Sequence, residues 1–381
     1  MKTDTVKGFN DYLGKDARKR ARIIDVIKKQ FALYGFEPAE TPLVEYEEFV
    51  RGENPDDEAV SNIFKLQDRG KRKLALRYEL TFPLKRIAKG KKLPYKRYQI
   101  GPVFRDEPVA ANRFRQLIQC DIDVIGSTIK DEAEVLALGY DIFSKKLGIK
   151  LTIVINNRKL LNEILEKEKI KEKDREQVIR EIDKLDKLSE KEVKANLKKF
   201  KGEKIVEILK KPEKYFEKYS DYSEIKELKK YCKDFGVNVV FQPSLARGLS
   251  YYVGSVFEFK AIGEKGSICG GGTYMINGIQ STGWSIGLAR LTNVAKIKTP
   301  TNDFLIISLN QDKKAIEIAQ KLRKKSRVVS IYYGKPSKAL EYANSYNFQK
   351  VIFVGSKEVK AKKFKIKDMK TGKESLLKVG L

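Results

Sequence analysis

Ala246-Arg247-Gly248-Leu249-Ser250-Tyr251-Tyr252-Val253-Gly254-Ser255-Val256-Phe257-Glu258 is the stretch on which the reading of this chain turns. It sets an arginine and a tyrosine pair on a tight turn punctuated by glycine, where the backbone is free to take conformations closed to other residues. It then runs straight into an apolar, strand-like segment. A cation and two hydroxyls placed against buried structure point to a site, because such groups are costly to desolvate unless a ligand or partner meets them.

Working outward, residues 237–242, 251–261 and 266–270 carry strand-like patterns. Residues 281–295 read as a helix opening with Gly283-Trp284-Ser285, and 296–302 as a linker around Thr299-Pro300-Thr301. Beyond it, strands at 303–309, 327–333 and 350–355 alternate with helices at 312–325 and 336–346, the pattern of a small parallel α/β domain. Toward the N-terminus, Ala21, Ile24, Ile27 and Phe31 recur at helical spacing over 15–34, and Gly35 ends that helix. Pro38 and Pro42 hold 36–44 extended. Residues 94–107 and 116–126 read as two strands joined by a polar loop. In the second, Gln119, Asp121 and Asp123 fall at period two and share one face. Residues 131–147 read as a helix and 150–155 as a strand. Residues 159–233 are mostly Lys, Glu, Ile and Leu at helical spacing, a helical subdomain inserted in the main domain; a solvated spacer and an RNA-contacting module both fit it.

The chain has 381 residues, 41% of them hydrophobic, which suits two or three packed domains. Its formal net charge is +28, a balance that favours a polyanionic partner, although lysine also serves simply to solvate surfaces. Cys120, Cys232 and Cys269 are odd in number and far apart, which argues against a disulfide framework or a structural zinc site. No apolar run is long enough to span a bilayer, and residues 1–9 lack the apolar core of a secretory signal, so a soluble cytoplasmic protein is expected. Histidine is absent. Histidine ligands and bases are therefore excluded, and activity is expected to be flat between pH 5 and 8 apart from substrate ionisation.

Phe104-Arg105-Asp106-Glu107, followed by Arg113 and Arg115, suits a nucleoside triphosphate, because arginine grips phosphate oxygens in a fixed fork. A surface Arg–Glu ladder reads the same way. Gly270-Gly271-Gly272 lacks the Lys-Ser/Thr of a phosphate loop and reads as a turn. Arg290, in Gly287-Leu288-Ala289-Arg290-Leu291, is placed to stack on a purine or to sit in solvent.

Taken in order, the Pro42 segment, Leu76-Arg77-Tyr78-Glu79-Leu80-Thr81, Phe104-Arg105-Asp106-Glu107, Arg113-Phe114-Arg115-Gln116, Gln119-Cys120-Asp121-Ile122-Asp123, Arg247 to Tyr252 and Gly287 to Leu291 resemble the three class II motifs and the histidine-specific segments of the histidyl-tRNA synthetases. Lys7-Gly8-Phe9-Asn10-Asp11-Tyr12 is similar to that family's opening, and the Tyr-Glu-Leu-Thr and Gln-Cys-Asp-x-Asp forms to its archaeal and eukaryotic branch. The resemblance covers nearly the whole chain. It implies an α+β fold, in which a six-stranded antiparallel catalytic sheet is flanked by helices, with a helical insertion and a C-terminal α/β anticodon-binding domain. The boundaries it implies are 1–158 and 236–297 for the catalytic domain, 159–235 for the insertion and 302–381 for the anticodon-binding domain. It implies ATP and Mg²⁺, L-histidine and tRNA(His) as ligands, a homodimer, and no membrane.

By matching positions, the resemblance makes Arg105 and Arg247 the catalytic residues. Histidine would be held by Glu79, Leu80, Thr81, Arg105, Gln119, Asp123, Arg247, Tyr251 and Tyr252, with Asp123 and Tyr252 on the imidazole. ATP would be held by Arg105, Glu107, Arg113 and Arg290; no metal ligand is singled out. The chain departs from the family pattern at Leu117, Ser250, Thr273, Met275 and Ala289. A non-catalytic paralogue, such as the synthetase-like regulatory subunit of ATP phosphoribosyltransferase, is the alternative.

Overall fold

A computed structural model describes residues 1–52, 62–109, 114–247, 251–299 and 301–377. The chain divides into two compact units, residues 1–11 with 23–297, and residues 12–22 with 298–381.

The larger unit is built on one sheet. Its strands are β1 (Glu37–Pro38), β5 (Tyr95–Phe104), β6 (Gln116–Ile125), β7 (Leu151–Asn157), β8 (Val239–Phe241), β9 (Tyr252–Ala261), β10 (Ser267–Ile276) and β11 (Ile279–Gly287). They lie in the order β1-β5-β6-β11-β10-β9-β7-β8. The inner six pair antiparallel, as the resemblance implied. The two outer strands, β1 and β8, add on in parallel. A small separate sheet carries β2 (Val44–Tyr46), β3 (Lys65–Gln67) and β4 (Lys73–Leu76) in the order β2-β4-β3.

The period of two along each strand divides the large sheet into unlike faces. Cys120, Ile122, Val124, Trp284, Ile286, Phe257 and Phe259 turn to one side and are buried with Phe31, Phe143 and the helix Ile129–Tyr140. Trp284 sits at the centre, 5.7 Å from the Phe31 ring and 5.9 Å from the Phe143 ring, and its indole N–H donates to the Val135 carbonyl at 2.9 Å. Gly139 lets that helix press onto the sheet, since a Cβ there would stand 2.3 Å from Phe259. Burial of this face leaves the intervening residues, among them Gln119, Asp121, Asp123, Ser285, Gly270 and Glu258, on the other.

Two sequence expectations fail in this sheet. Residues 281–295 are not one helix: β11 runs through Gly283-Trp284-Ser285, and the helix is only Leu288–Val294. The cause is Asn277-Gly278, both in the left-handed region at φ 51° and 77°, which fold β10 and β11 into a two-residue hairpin. Gly270-Gly271-Gly272 is not a turn either and lies in mid-strand in β10. The helix expected at 131–147 is the helix Ile129–Tyr140 followed by a π-helical turn, Asp141–Lys146. Residues 159–233 are helical as read, in segments Arg158–Lys167, Glu172–Asp183, Glu190–Leu197, Glu203–Ile208 and Tyr222–Asp234.

The smaller unit has β12 (Asn302–Ser308) at the centre of a parallel trio with β13 (Val329–Tyr333) and β14 (Phe348–Val354). Alternate residues of β12 explain its two layers. Ile306 packs with Ala315 and Ile318 of the helix Asp312–Lys324, whereas Leu305 and Ile307 pack with Ala339 and Ala343 of the helix Pro336–Ser345. An antiparallel extension, β15 (Phe364–Asp368) and β16 (Glu374–Leu377), completes this sheet and had no counterpart in the sequence reading. Among the described residues no helix is long and apolar enough to cross a membrane.

Candidate active site

Arg247 adopts a left-handed backbone, φ 53°, unusual for a side-chain-bearing residue and typical of functional strain. Its Nη1 donates to Glu258 Oε1 of β9 at 2.8 Å, and its guanidinium lies 5.9 Å from the Tyr252 ring centre. What makes room for it is Gly270: a Cβ there would stand 1.6 Å from Arg247 Nη1. Gly270 is thus a floor that lets the arginine lie against the sheet. Gly271 and Gly272 face similar crowding, from Gly283 and Trp284 and from Ser255 and Tyr252 respectively.

On β6, Gln119, Asp121 and Asp123 are all buried and share the face read from sequence. Gln119 Nε2 donates to Ser285 Oγ at 2.7 Å, and Ser285 Oγ donates to Asp121 Oδ1 at 2.5 Å. Asp123 pairs across the strands with the fully buried Arg97 at 2.6 Å and accepts from the Tyr274 hydroxyl. Arg97 also donates to the Leu80 carbonyl at 2.7 Å. Leu80 itself is fully buried, so what it presents is that carbonyl, already taken.

Burial, followed by the negative field of Asp121, pushes the Glu79 carboxyl up to about 7, with Arg105 opposing. Burial likewise pushes Asp121 up to about 7, against the Ser285 hydroxyl and the fields of Arg97 and Arg105. Asp123 is raised by burial too, with Arg97 and the Tyr274 hydroxyl holding it down. Two carboxyls raised toward neutrality, on Glu79 and Asp121, bear directly on the expectation of flat activity between pH 5 and 8, which a rate profile against pH tests.

Arg105 stacks 4.5 Å from the Tyr78 ring, and the Tyr78 hydroxyl donates to Glu107 at 3.2 Å. Arg115 donates to the Glu107 carbonyl and pairs with Asp106 at 3.1 Å. Tyr251 and Tyr252 lie ring to ring at 4.7 Å, with Tyr274 5.7 Å from Tyr251.

The field of Glu79 reaches Tyr251 and Tyr252, and Tyr252 also feels Arg247. Arg105, Glu79, Gln119, Asp121, Asp123, Arg247, Tyr251 and Tyr252 thus form one connected group on the open face. Thr81 lies just beyond Leu80, where its carbonyl starts the turn into the short helix Leu84–Ile87. Arg290 is exposed and donates to the Ser267 carbonyl. Arg113 and Ser250 lie outside the described residues. A cavity of about 320 Å³ bordered by Lys91, Lys92, Tyr95 and Lys96 contains none of the candidate residues.

Sequence reading missed Arg97, Glu258, Tyr274 and Gly270, and did not assign Asp121 a role. For Asp121 the signal was present in its shared face with Gln119 and Asp123. The others act across strands, so they become visible only with register: Arg97 opposite Asp123, and Gly270 beside Glu258. One departure from the family pattern gains a reason. The Thr273 hydroxyl, on the helix-packed face, donates to the buried Glu132 at 2.6 Å.

An antiparallel sheet with arginines and carboxylates gathered on its open face, joined to a separate α/β unit, is the build of a class II aminoacyl-tRNA synthetase. Residues 8–291 match the family model for histidyl-tRNA synthetase, and residues 303–380 that for an anticodon-binding domain. The chain belongs to the histidyl-tRNA synthetase family. It is 33% identical to histidine–tRNA ligase 1 of Bacillus cereus (strain ATCC 14579) over 98% of this chain and 97% of that protein. It is 32% identical to histidine–tRNA ligase of Clostridium acetobutylicum over 100% and 98%. Among solved structures it resembles histidyl-tRNA synthetase from Nostoc sp. PCC 7120, with a TM-score of 0.86 and 27% identity over 99% of this chain and 97% of that one. An ATP phosphoribosyltransferase regulatory subunit/histidyl-tRNA synthetase from Bacillus halodurans shares the fold, with a TM-score of 0.79 and 21% identity over 92% and 98%.

Proposed function

We infer that the protein is a histidine–tRNA ligase. It joins L-histidine to ATP as histidyl-adenylate with release of pyrophosphate, then passes the histidyl group to the 3′ end of tRNA(His). The observation that carries this reading is Arg247 lying on the Gly270 floor beside the Glu79–Asp123 face, in a chain of this family.

The substrate carboxylate is ionised at neutral pH, so its oxygen attacks the α-phosphorus without a general base. The α–β phosphoanhydride bond breaks and pyrophosphate leaves with the electron pair. The barrier lies in bringing two anions together and in charge growth on the α-phosphoryl oxygens, which preorganised cations relieve. Arg105 and Arg247 are the cations for this task. Glu79 and Thr81 hold the α-ammonium, Gln119 supports it, and the Leu80 segment and Tyr251 wall the pocket. Asp123, pinned by Arg97 and Tyr274, and Tyr252 face the imidazole, whose two nitrogens need a donor and an acceptor. Glu107 orders Tyr78 beneath Arg105, while Arg113 and Arg290 serve ATP. Mg²⁺ would be held mainly by ATP phosphate oxygens and waters, with Glu107 the carboxylate placed to share it, and would supply positive charge at the phosphates; among the described residues no group of three metal-ligating side chains exists.

Residues 159–235 form the insertion between catalytic parts 1–158 and 236–297, and residues 302–381 read the anticodon end of tRNA. The protein works in the cytoplasm as a homodimer. The regulatory-subunit alternative has less support, because Arg105 and Arg247 are both kept and 303–380 match an anticodon-binding model. Charging of tRNA(His) with labelled histidine tests the reading: ATP-dependent, acid-precipitable label is expected, and none with active tRNA and folded protein would defeat it.

A further inference from the structure

Asp121 is a buried carboxylate with no ion pair among the described residues, whereas its neighbour Asp123 has Arg97 at 2.6 Å. It accepts a hydrogen bond from Ser285, which in turn accepts from Gln119. Gln119 is more than nine-tenths buried, and its Oε1 has no hydrogen-bond partner. An unpaired carboxylate and an orphaned carbonyl oxygen, joined through one serine, are together costly in an empty site. Both faults are cured by a cation carrying N–H donors.

We propose that Asp121 is a further substrate-binding residue, which with Glu79 and Gln119 Oε1 forms a three-acceptor cradle for the α-ammonium of the amino acid. An ammonium has three N–H donors and no acceptor, which matches three acceptors. Charge-assisted bonds of this kind are stronger than neutral ones. The inference deepens the proposed function and rests on it.

A consequence concerns protons. The groups facing Asp121 are Ser285 on β11, Arg97 on β5, Asp123 on its own strand, Cys269 on β10, and Arg77, Glu79 and Arg105 from the neighbouring segments. Glu79 and Asp121 both titrate near 7 in the absence of ligand, each raised by burial, with Asp121 also raising Glu79. An arriving ammonium favours the ionised form of both, so binding at neutral pH expels a proton.

The experiment is calorimetric titration of the full-length wild type and Asp121→Asn with L-histidine and with imidazolepropionate, which lacks the ammonium. Each is run in two buffers of different ionisation enthalpy, with a thermal melt of each protein. Expected for Asp121→Asn are an affinity for histidine lower by about tenfold or more, an unchanged affinity for imidazolepropionate, a smaller proton release, and a melt no lower than wild type, since an unpaired buried charge has been removed. Equal loss for both ligands, or a lowered melt with equal losses, would assign Asp121 a merely structural role and overturn the proposal. Undiminished histidine binding by the variant would overturn it and leave the function intact. A folded wild type that binds no histidine would overturn both.

Discussion

Arg247 depends on a residue that has no side chain. With Cβ at 270 the guanidinium loses its seat, because the added carbon would lie 1.6 Å from Nη1. Gly270→Ala is therefore expected to lower histidine-dependent adenylation by roughly 10² or more, the scale at which loss of one preorganised electrostatic group is felt. Arg247→Ala should do the same while weakening ATP binding far less, read as kcat against KM in pyrophosphate exchange; a variant with normal turnover would remove Arg247 from the chemistry. At this scale the sequence was informative about Arg247, Glu79 and Asp123, whose residue types match the chemistry. It was silent about Gly270 and Arg97, because their meaning is set by what lies across the sheet.

The carboxyls give a second expectation at the same scale. Glu79 and Asp121, both raised to about 7, are neutral well below that pH and ionised well above it. On the proposed binding mode the amino acid's ammonium needs the ionised forms, so KM for histidine should fall as pH rises from roughly 6 to 8. For the unliganded fold the sign is opposite. A carboxyl whose folded value lies above its unfolded value costs stability as pH climbs from about 4 to about 7. Asp121→Asn should remove part of that decline, leaving the variant more stable than wild type at pH 8 by an amount on the order of 2 kcal/mol. A pair of denaturant titrations, at pH 5 and pH 8, checks the stability sign, and initial rates against histidine concentration at about pH 6 and pH 8 check the KM sign.

Among the elements, β10 carries the most. Its even positions, Gly270 and Gly272, serve the open face, while Thr273 reaches through to the helix side and caps Glu132. Glu132 Oε2 has no partner, and burial raises this carboxyl, with the Ser255 and Thr273 hydroxyls opposing. Thr273→Val leaves one fewer donor to a buried acid, so unfolding free energy should drop by about 1–3 kcal/mol, measured by urea denaturation at neutral pH; an unchanged midpoint would show that Glu132 does not need the hydroxyl. Strand β6 was legible from alternation alone. Strand β11 was not, because Trp284, Leu288 and Leu291 fall at helical spacing and the glycines hide the period of two. Asn277-Gly278 was the overlooked signal, a dipeptide suited to a two-residue hairpin. In the β15–β16 extension Phe364 and Ile366 alternate with lysines, a period of two that the sequence reading did not take up.

For the whole molecule, net charge and the missing histidine set the behaviour. A charge of +28 should make tRNA binding strongly salt-dependent, because lysines release counterions from phosphates. Raising monovalent salt from about 50 to about 200 mM should raise KM for tRNA by tenfold or more, while KM for histidine barely moves. Parallel shifts in both would contradict a phosphate-borne interaction. Domain order and fold class were legible because motifs and periodicity recur over the full length. The upward push on the Glu79 and Asp121 carboxyls was not, since it arises from desolvation that no local sequence pattern reveals. On the proposed binding mode, selection of histidine rests on carboxylates, tyrosines and arginines, and requires no histidine in the protein.

The most direct test is pyrophosphate exchange into ATP with the full-length protein, Mg²⁺ and each amino acid in turn. Exchange with L-histidine and none above background with the others is the predicted result. Folded protein that gives no exchange with histidine, or equal exchange with several amino acids, would contradict the account.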